Sequence, residues 1–263
     1  MADVLRVERP SEGVVLLTLA LPERRNAMTE ELTSAWTATV AELKQDRSVR
    51  AVVVTGEGRA FCAGGDLSWI DAGASTLDVN GLRERMVGFY RAWLSVRDLE
   101  VPVLAAVNGP AVGAGLCLAL ACDLRYAGES ARLSAPFTAL GIHPGMAGTY
   151  LLVEAVGMVV ARDLLYTGRV VHAEEAKQLG LVNGVFADDS LVAETLAVAE
   201  RIAATAPVAT RLLKAGLARG TAGSFEDAIA WEGLAQPVTM LSEDKREASA
   251  AMAEKRPPRF VGR

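Results

Sequence analysis

Two apolar runs in this chain each end in a cluster of small residues. AVVVTG at 51–56 leads into RAFCAGGDL, and VPVLAAV at 101–107 leads through Asn108-Gly109-Pro110 into AVGAGL. Short valine- and alanine-rich runs without polar alternation are the pattern of strands buried on both faces, as in sheets covered by helices. The glycines carry a second message: without a Cβ the backbone can approach a ligand closely, and successive N–H groups can converge on an anion. In AVGAGL they also open a helix, so the amides near Ala114 and Gly115 sit at the positive end of its dipole. Two such corners can polarise one carbonyl, which is what an oxyanion hole requires. A tight turn would explain either cluster alone. GAGLCL is not a dinucleotide fingerprint, because Leu118 stands where a third glycine is needed.

Around these corners the periodicity alternates between strand and helix. VVLLTLA at 14–20 and AVVVT at 51–55 flank a helical stretch in which Met28, Leu32, Trp36, Val40 and Leu43 share one face. A second helix is expected over 80–98, a buried helix over 112–122 and a further strand at LRYAG. From about 147 onward strands become scarce and helical patterns follow one another. The expected organisation is an α/β core over 1–190 and a helical region over 191–263.

Charge and composition narrow the class. A net charge of −5 with no block of like charges leaves no basic field for a polynucleotide. The start MADVLRVERPSEG lacks the pattern of a signal peptide, and no apolar run reaches the ~18 residues of a membrane span, so the expectation is a cytoplasmic protein with no membrane partner. The three cysteines, Cys62, Cys117 and Cys122, show no CxxC spacing and read as reduced, buried thiols. With two histidines in the chain, no metal site is expected. The 51% hydrophobic content favours an oligomer with buried subunit faces.

Four segments taken together, LPERRNAMTEEL, VVVTGEGRAFCAGGDL, VPVLAAVNGPAVGAGLCLALACDLRYAGESARL and TGRVVHAEEAKQLGLVNGVF, with the ending EKRPPRF, resemble the crotonase superfamily, the enoyl-CoA hydratase/isomerase family, over nearly the whole chain. The resemblance implies an α/β fold of repeated β-β-α turns with a C-terminal helical trimerisation region. It also implies a homotrimer or a hexamer (dimer of trimers), and an acyl-CoA thioester as substrate. Coenzyme A then arrives as part of that substrate, and no separate cofactor is implied. By the same resemblance Ala63 supplies the first oxyanion-hole amide and Ala114 the second, so that an enolate can form. Arg24 and Arg25 lie in the segment that contacts the adenine and phosphates, and Lys255 matches a lysine that reaches coenzyme A. Ala27, Gly64, Gly65, Leu67 and Gly113 belong to the acyl-CoA contacts. Asp66 fits as a loop-ordering side chain.

Hydration of an enoyl thioester places hydroxide on one carbon and a proton on the next, and hydratases of this family use two glutamates for that. Counting from Cys122-Asp123, those positions fall on Cys117 and Phe137. Relatives with other chemistries, thioester hydrolysis and decarboxylation among them, keep the hole and recruit different groups; a catalytically silent acyl-CoA binder would keep the hole alone. His143, in GIHPGMAGTY, is the candidate general base, with a turn-ordering histidine as the alternative. Tyr150 is a candidate to orient water or the thioester, or else a packed aromatic.

Overall fold

The computed structural model describes residues 4–220 and 223–263, apart from the side chains of Leu67, Ile70 and Ala74. Its centre is a six-stranded sheet, built from β1 (Leu5–Ser11), β2 (Val14–Leu19), β3 (Ala51–Gly56), β4 (Val103–Val107), β6 (Leu124–Gly128) and β9 (Gly184–Phe186) in the order β1-β2-β3-β4-β6-β9. Only the β1–β2 hairpin is antiparallel. A second sheet of β5 (Pro110–Val112), β7 (Arg132–Ser134) and β8 (Val171–His172) stands beside it, with β5 and β7 parallel and β7 and β8 antiparallel.

All six residues of β3 are buried, as its unbroken apolar run implies. Side chains alternate across a strand. Val52 and Val54 join the larger core with Leu32, Trp36 and Val40 of helix α1 (Glu30–Gln45). Ala51 and Val53 face the opposite way, onto Leu191, Ala199 and Ala203 of α7 (Leu191–Ala203). Helix α7 therefore completes the sheet's second face, and the part free of the sheet begins at α8 (Pro207–Gly220), later than the boundary expected at 191. Periodicity shows that a segment is helical without showing which face of a sheet it covers, which is why the sequence groups α7 with the tail.

Helix α1 starts where Thr29 accepts the Leu32 N–H at 3.2 Å, and buries Leu32, Trp36, Val40 and Leu43. Trp36 stacks on Trp93 of α3 (Val79–Leu94) with ring centroids 5.1 Å apart. Between β3 and α3 lies α2 (Leu67–Thr76), which periodicity does not reveal. Helix α4 (Ala114–Ala121) is buried at every residue. Helix α5 (Gly148–Thr167) is interrupted at Gly157, whose φ of 71° and ψ of 169° are open to glycine. The short α6 (Ala173–Gln178) leads to β9.

The C-terminal helices are α8, α9 (Phe225–Met240) and α10 (Glu243–Glu254). Lys214 anchors α8 to the core, donating to Asp123 at 2.7 Å and to the Val101 carbonyl at 2.8 Å. The final residues fold back: the buried carboxylate of Asp244 accepts the N–H of Val261 at 2.7 Å and of Gly262 at 3.0 Å, and Arg50 donates to the Phe260 carbonyl at 2.8 Å. Among the described residues, no helix is long and apolar enough to cross a membrane.

Candidate active site

Both glycine-rich corners meet at the start of α4. The Cys62 carbonyl accepts the Val112 N–H at 3.0 Å, and Cys62 pairs with Ala111 in an isolated bridge. The approach is close enough to demand glycine twice. A side chain at Gly115 would overlap the Cys62 carbonyl oxygen, and one at Gly64 (φ 99°) would lie 2.7 Å from the Val112 oxygen and 3.4 Å from the Ala114 nitrogen. The Gly64–Gly65 peptide thus runs alongside the first residue of α4.

Which amides are free at this junction follows from the hydrogen bonds. Ala114 is the first helical residue of α4, so its N–H has no intrahelical acceptor, and it finds none elsewhere among the described residues. Gly113, in front of it, has φ 55° and donates to the Ser134 carbonyl at 2.9 Å. On the facing loop the expectation for Ala63 is corrected: its N–H donates to the Arg25 carbonyl at 3.0 Å and is not available to a ligand. Gly64 N–H faces the Cys62 sulfur at 3.4 Å. Gly65 N–H has no acceptor among the described residues, which makes it a free donor of the loop. The sequence marks the loop correctly; which of its amides is committed depends on the fold of residues forty positions earlier.

Those earlier residues are held by Asn26, which the sequence reading passes over. Fully buried and in a left-handed conformation (φ 56°), it accepts the Leu21 N–H at 2.9 Å and donates to the carbonyls of Glu57 at 3.0 Å and Ala60 at 2.8 Å. Arg25 shares that conformation (φ 52°), and its carbonyl is thereby presented to Ala63. Ala27 closes the turn, donating to the Arg24 carbonyl at 3.1 Å. Arg24 pairs with Asp66 at 3.0 Å, while Asp66 also caps α2 by accepting the Ser68 N–H at 3.0 Å and the Ser68 hydroxyl at 2.7 Å. The serine hydroxyl foremost holds the Asp66 carboxyl below its ordinary range. A cavity of about 500 Å³ opens here, lined by Leu21, Arg24, Thr29, Asp66, Ser68 and Trp69. The side chain of Leu67 lies outside the described residues.

On the other side of Ala114 is an apolar cluster. The Phe137 ring packs against Gly113, 3.6 Å from where a Cβ would stand, and against Gly148 of α5; the Cys117 sulfur lies 3.1 Å from the corresponding position on Gly148. Cys117 Sγ faces the Gly145 carbonyl at 3.8 Å, and burial pushes its pKa up to about 12. It is a protonated thiol at neutral pH. The groups placed around it, Phe137, Gly145 and Gly148, include no carboxylate.

Three expected residues are not brought to this junction by any contact found among the described residues. His143 is exposed, with Nδ1 2.8 Å from the carbonyl of Pro144 beside it. Tyr150 is 53% exposed, and its hydroxyl donates to Glu154 at 3.4 Å on the outer face of α5, where Glu154 also pairs with Arg97 at 2.8 Å. Lys255 is an exposed residue that ends α10 in a left-handed conformation. A larger apolar cavity of about 800 Å³, lined by Leu120, Leu151, Ile202 and Leu213 with Arg125 and Lys214, contains none of the expected site residues. Among the described residues no group of three or more His, Cys, Asp or Glu side chains could hold a metal ion.

This arrangement has relatives. The family model for enoyl-CoA hydratase/isomerase matches residues 9–263. A putative enoyl-CoA hydratase of Thermus thermophilus is 38% identical over 257 residues, covering 98% of this chain and all of the relative. The short-chain-enoyl-CoA hydratase of Clostridium acetobutylicum is 35% identical, covering 92% of each. The crystal structure of an enoyl-CoA hydratase from Bacillus anthracis superposes with a TM-score of 0.93 at 32% identity, over 99% of this chain and all of that one. The chain belongs to the enoyl-CoA hydratase/isomerase family and has the crotonase fold.

Proposed function

We propose that the chain is an acyl-CoA thioester enzyme that receives the thioester carbonyl oxygen between the N–H groups of Gly65 and Ala114 and stabilises the enolate that forms there. One observation carries the reading: two peptide N–H groups without acceptors among the described residues stand on adjoining loops, one of them at the head of a buried helix. Donors fixed before the reaction, in a site shielded from water, favour the charged transition state over the neutral ground state. The family acts on acyl-CoA thioesters, and the relatives described above carry the name of enoyl-CoA hydratases.

The coenzyme A portion is assigned to the cavity beside Arg24 and Asp66, with Arg24 and Arg25 as cationic groups for its phosphates. Coenzyme A comes as part of the substrate, and the reaction needs no further cofactor. The acyl chain is assigned to the side of Gly113, Cys117 and Phe137. A thiol held protonated and a phenyl ring cannot activate water as a pair of carboxylates does, so hydration by that route does not fit this pocket. A homotrimer or a dimer of trimers is proposed for the assembly, because α9 buries no residue of its own while exposing Phe225, Ile229, Leu234 and Val238.

The test is calorimetric titration with butyryl-CoA, the infrared spectrum of the bound thioester and a turnover panel that includes crotonyl-CoA, each compared with Ala114→Pro. Binding with the thioester carbonyl stretch shifted to lower frequency, and the shift lost in the variant, is the expected result. No binding of any acyl-CoA would overturn the reading; binding without turnover of any thioester would reduce the protein to a silent acyl-CoA binder.

A further inference from the structure

The sequence marks no role for Tyr90, yet the fold places it against the acyl side of the site. It lies on α3 directly after Phe89, to whose ring it is edge-on with centroids 6.2 Å apart. Its hydroxyl reaches Gly145 so closely that a Cβ there would be 2.5 Å from the phenol oxygen. Gly145 is the residue whose carbonyl faces Cys117 Sγ at 3.8 Å. The phenol and the thiol therefore approach the same residue.

The ring is half-buried, the hydroxyl makes no hydrogen bond among the described residues, and its oxygen stays accessible rather than enclosed. A phenol oxygen that stays accessible can exchange water for a ligand oxygen. Desolvation first, and the neighbouring Cys117 second, raise the phenol's pKa above its ordinary value, so it stays a donor through neutral pH. Cys117 sits one turn after Ala114 on α4, a rise of about 4.5 Å at ~1.5 Å per residue. The third carbon of an acyl group is two carbon–carbon bonds of about 1.5 Å each from the thioester carbonyl. A chain whose carbonyl rests on the Ala114 amide and which runs along α4 carries its third carbon toward Cys117 and Gly145, the residue that the phenol also approaches.

We propose that Tyr90 determines specificity by donating a hydrogen bond to an oxygen on the third carbon of the acyl group, so that the site selects 3-oxygenated acyl-CoA thioesters over plain saturated ones. This rests on the acyl-CoA reading above. The neighbouring groups support selectivity, since the Cys117 thiol is turned to the Gly145 carbonyl and Phe137, Gly145 and Gly148 offer that oxygen no side-chain donor.

The test is calorimetric titration of wild type, Tyr90→Phe and Gly145→Ala with butyryl-CoA and 3-hydroxybutyryl-CoA. Wild type is expected to prefer the hydroxylated ligand. Tyr90→Phe should lose about tenfold for that ligand alone, the scale of one good hydrogen bond. Gly145→Ala keeps the phenol but pushes it aside, and should show the same selective loss. Equal loss for both ligands, or no loss in Tyr90→Phe, overturns the proposal while butyryl-CoA binding upholds the acyl-CoA reading. Failure of wild type to bind either ligand removes both. If Tyr90→Phe is unfolded by circular dichroism, unchanged binding in Gly145→Ala overturns the proposal by itself.

Discussion

The N–H of Ala63 points at the carbonyl of Arg25, 3.0 Å away, and this one bond takes the first amide of the Ala63-Gly64-Gly65 loop out of reach of any other acceptor. With Ala63 tied to the turn before α1, the next unpaired amide is Gly65, which follows Gly64, whose Cβ position would lie 3.4 Å from the Ala114 nitrogen. Replacing Ala114 by proline removes the second donor while keeping a residue suited to the first position of a helix. The expected cost is about 10²–10³ in rate, or ~2.7–4 kcal/mol of transition-state stabilisation. Single-turnover kinetics on any processed thioester check this, with circular dichroism to confirm that α4 persists. An unchanged rate would move the carbonyl away from Ala114.

His143→Ala is expected to leave turnover within about twofold, because the imidazole is exposed and turned to its neighbour's carbonyl. A working general base would lower the rate by about 10²–10⁴ when removed. Steady-state rates on the same thioester separate the two outcomes.

Asn26→Ala should destabilise the fold by about 3 kcal/mol or more, since each buried polar group left unpaired costs ~1–3 kcal/mol. The Leu21 amide and the carbonyls of Glu57 and Ala60 would all lose their partner. Urea denaturation measures the loss. Acyl-CoA affinity should fall as well, because the Arg25 carbonyl would no longer hold the 63–65 loop; wild-type affinity in a folded Asn26→Ala protein would separate the turn from the site.

Alkaline pH should weaken the fold through its thiols. Burial raises Cys62, Cys117 and Cys122 from 9.0 to about 12. A thiol that ionises near 9 when unfolded but near 12 when folded binds its proton more tightly in the folded chain. The stabilisation is complete below pH 9 and is lost as pH rises toward 12. Urea midpoints at pH 8 and pH 10 should show the decline, and Cys122→Ala should make it shallower. A flat profile would mean that the thiols already meet solvent.

The sequence shows most clearly what depends on apolar periodicity. Strands β2 and β3 and helix α1 are legible because burial on a fixed spacing leaves a mark, from Val15 and Val52 to Leu32 and Trp36. β1 is not, since its solvent-facing residues include Arg6, Glu8 and Arg9 and its register shifts between Glu8 and Ser11. β8 and β9, two and three residues long, are too short for any period. At the site, the small residues at 63–65 and 113–115 are visible because close backbone approach tolerates little else. The commitment of the Ala63 amide and the placement of Tyr90 are not, because each depends on a partner supplied by a distant turn or helix. A histidine attracts notice by its ordinary titration range, but only the fold shows that His143 faces outward.

The clasp at the C-terminus has a practical consequence. Shortening the chain by its last four residues would strip the Asp244 carboxylate of the amides of Val261 and Gly262 that now satisfy it, while Arg50 would lose the Phe260 carbonyl. Damage in this segment would thereby be felt at the first residue before β3, so residues 260–263 behave as a fastener for the central sheet.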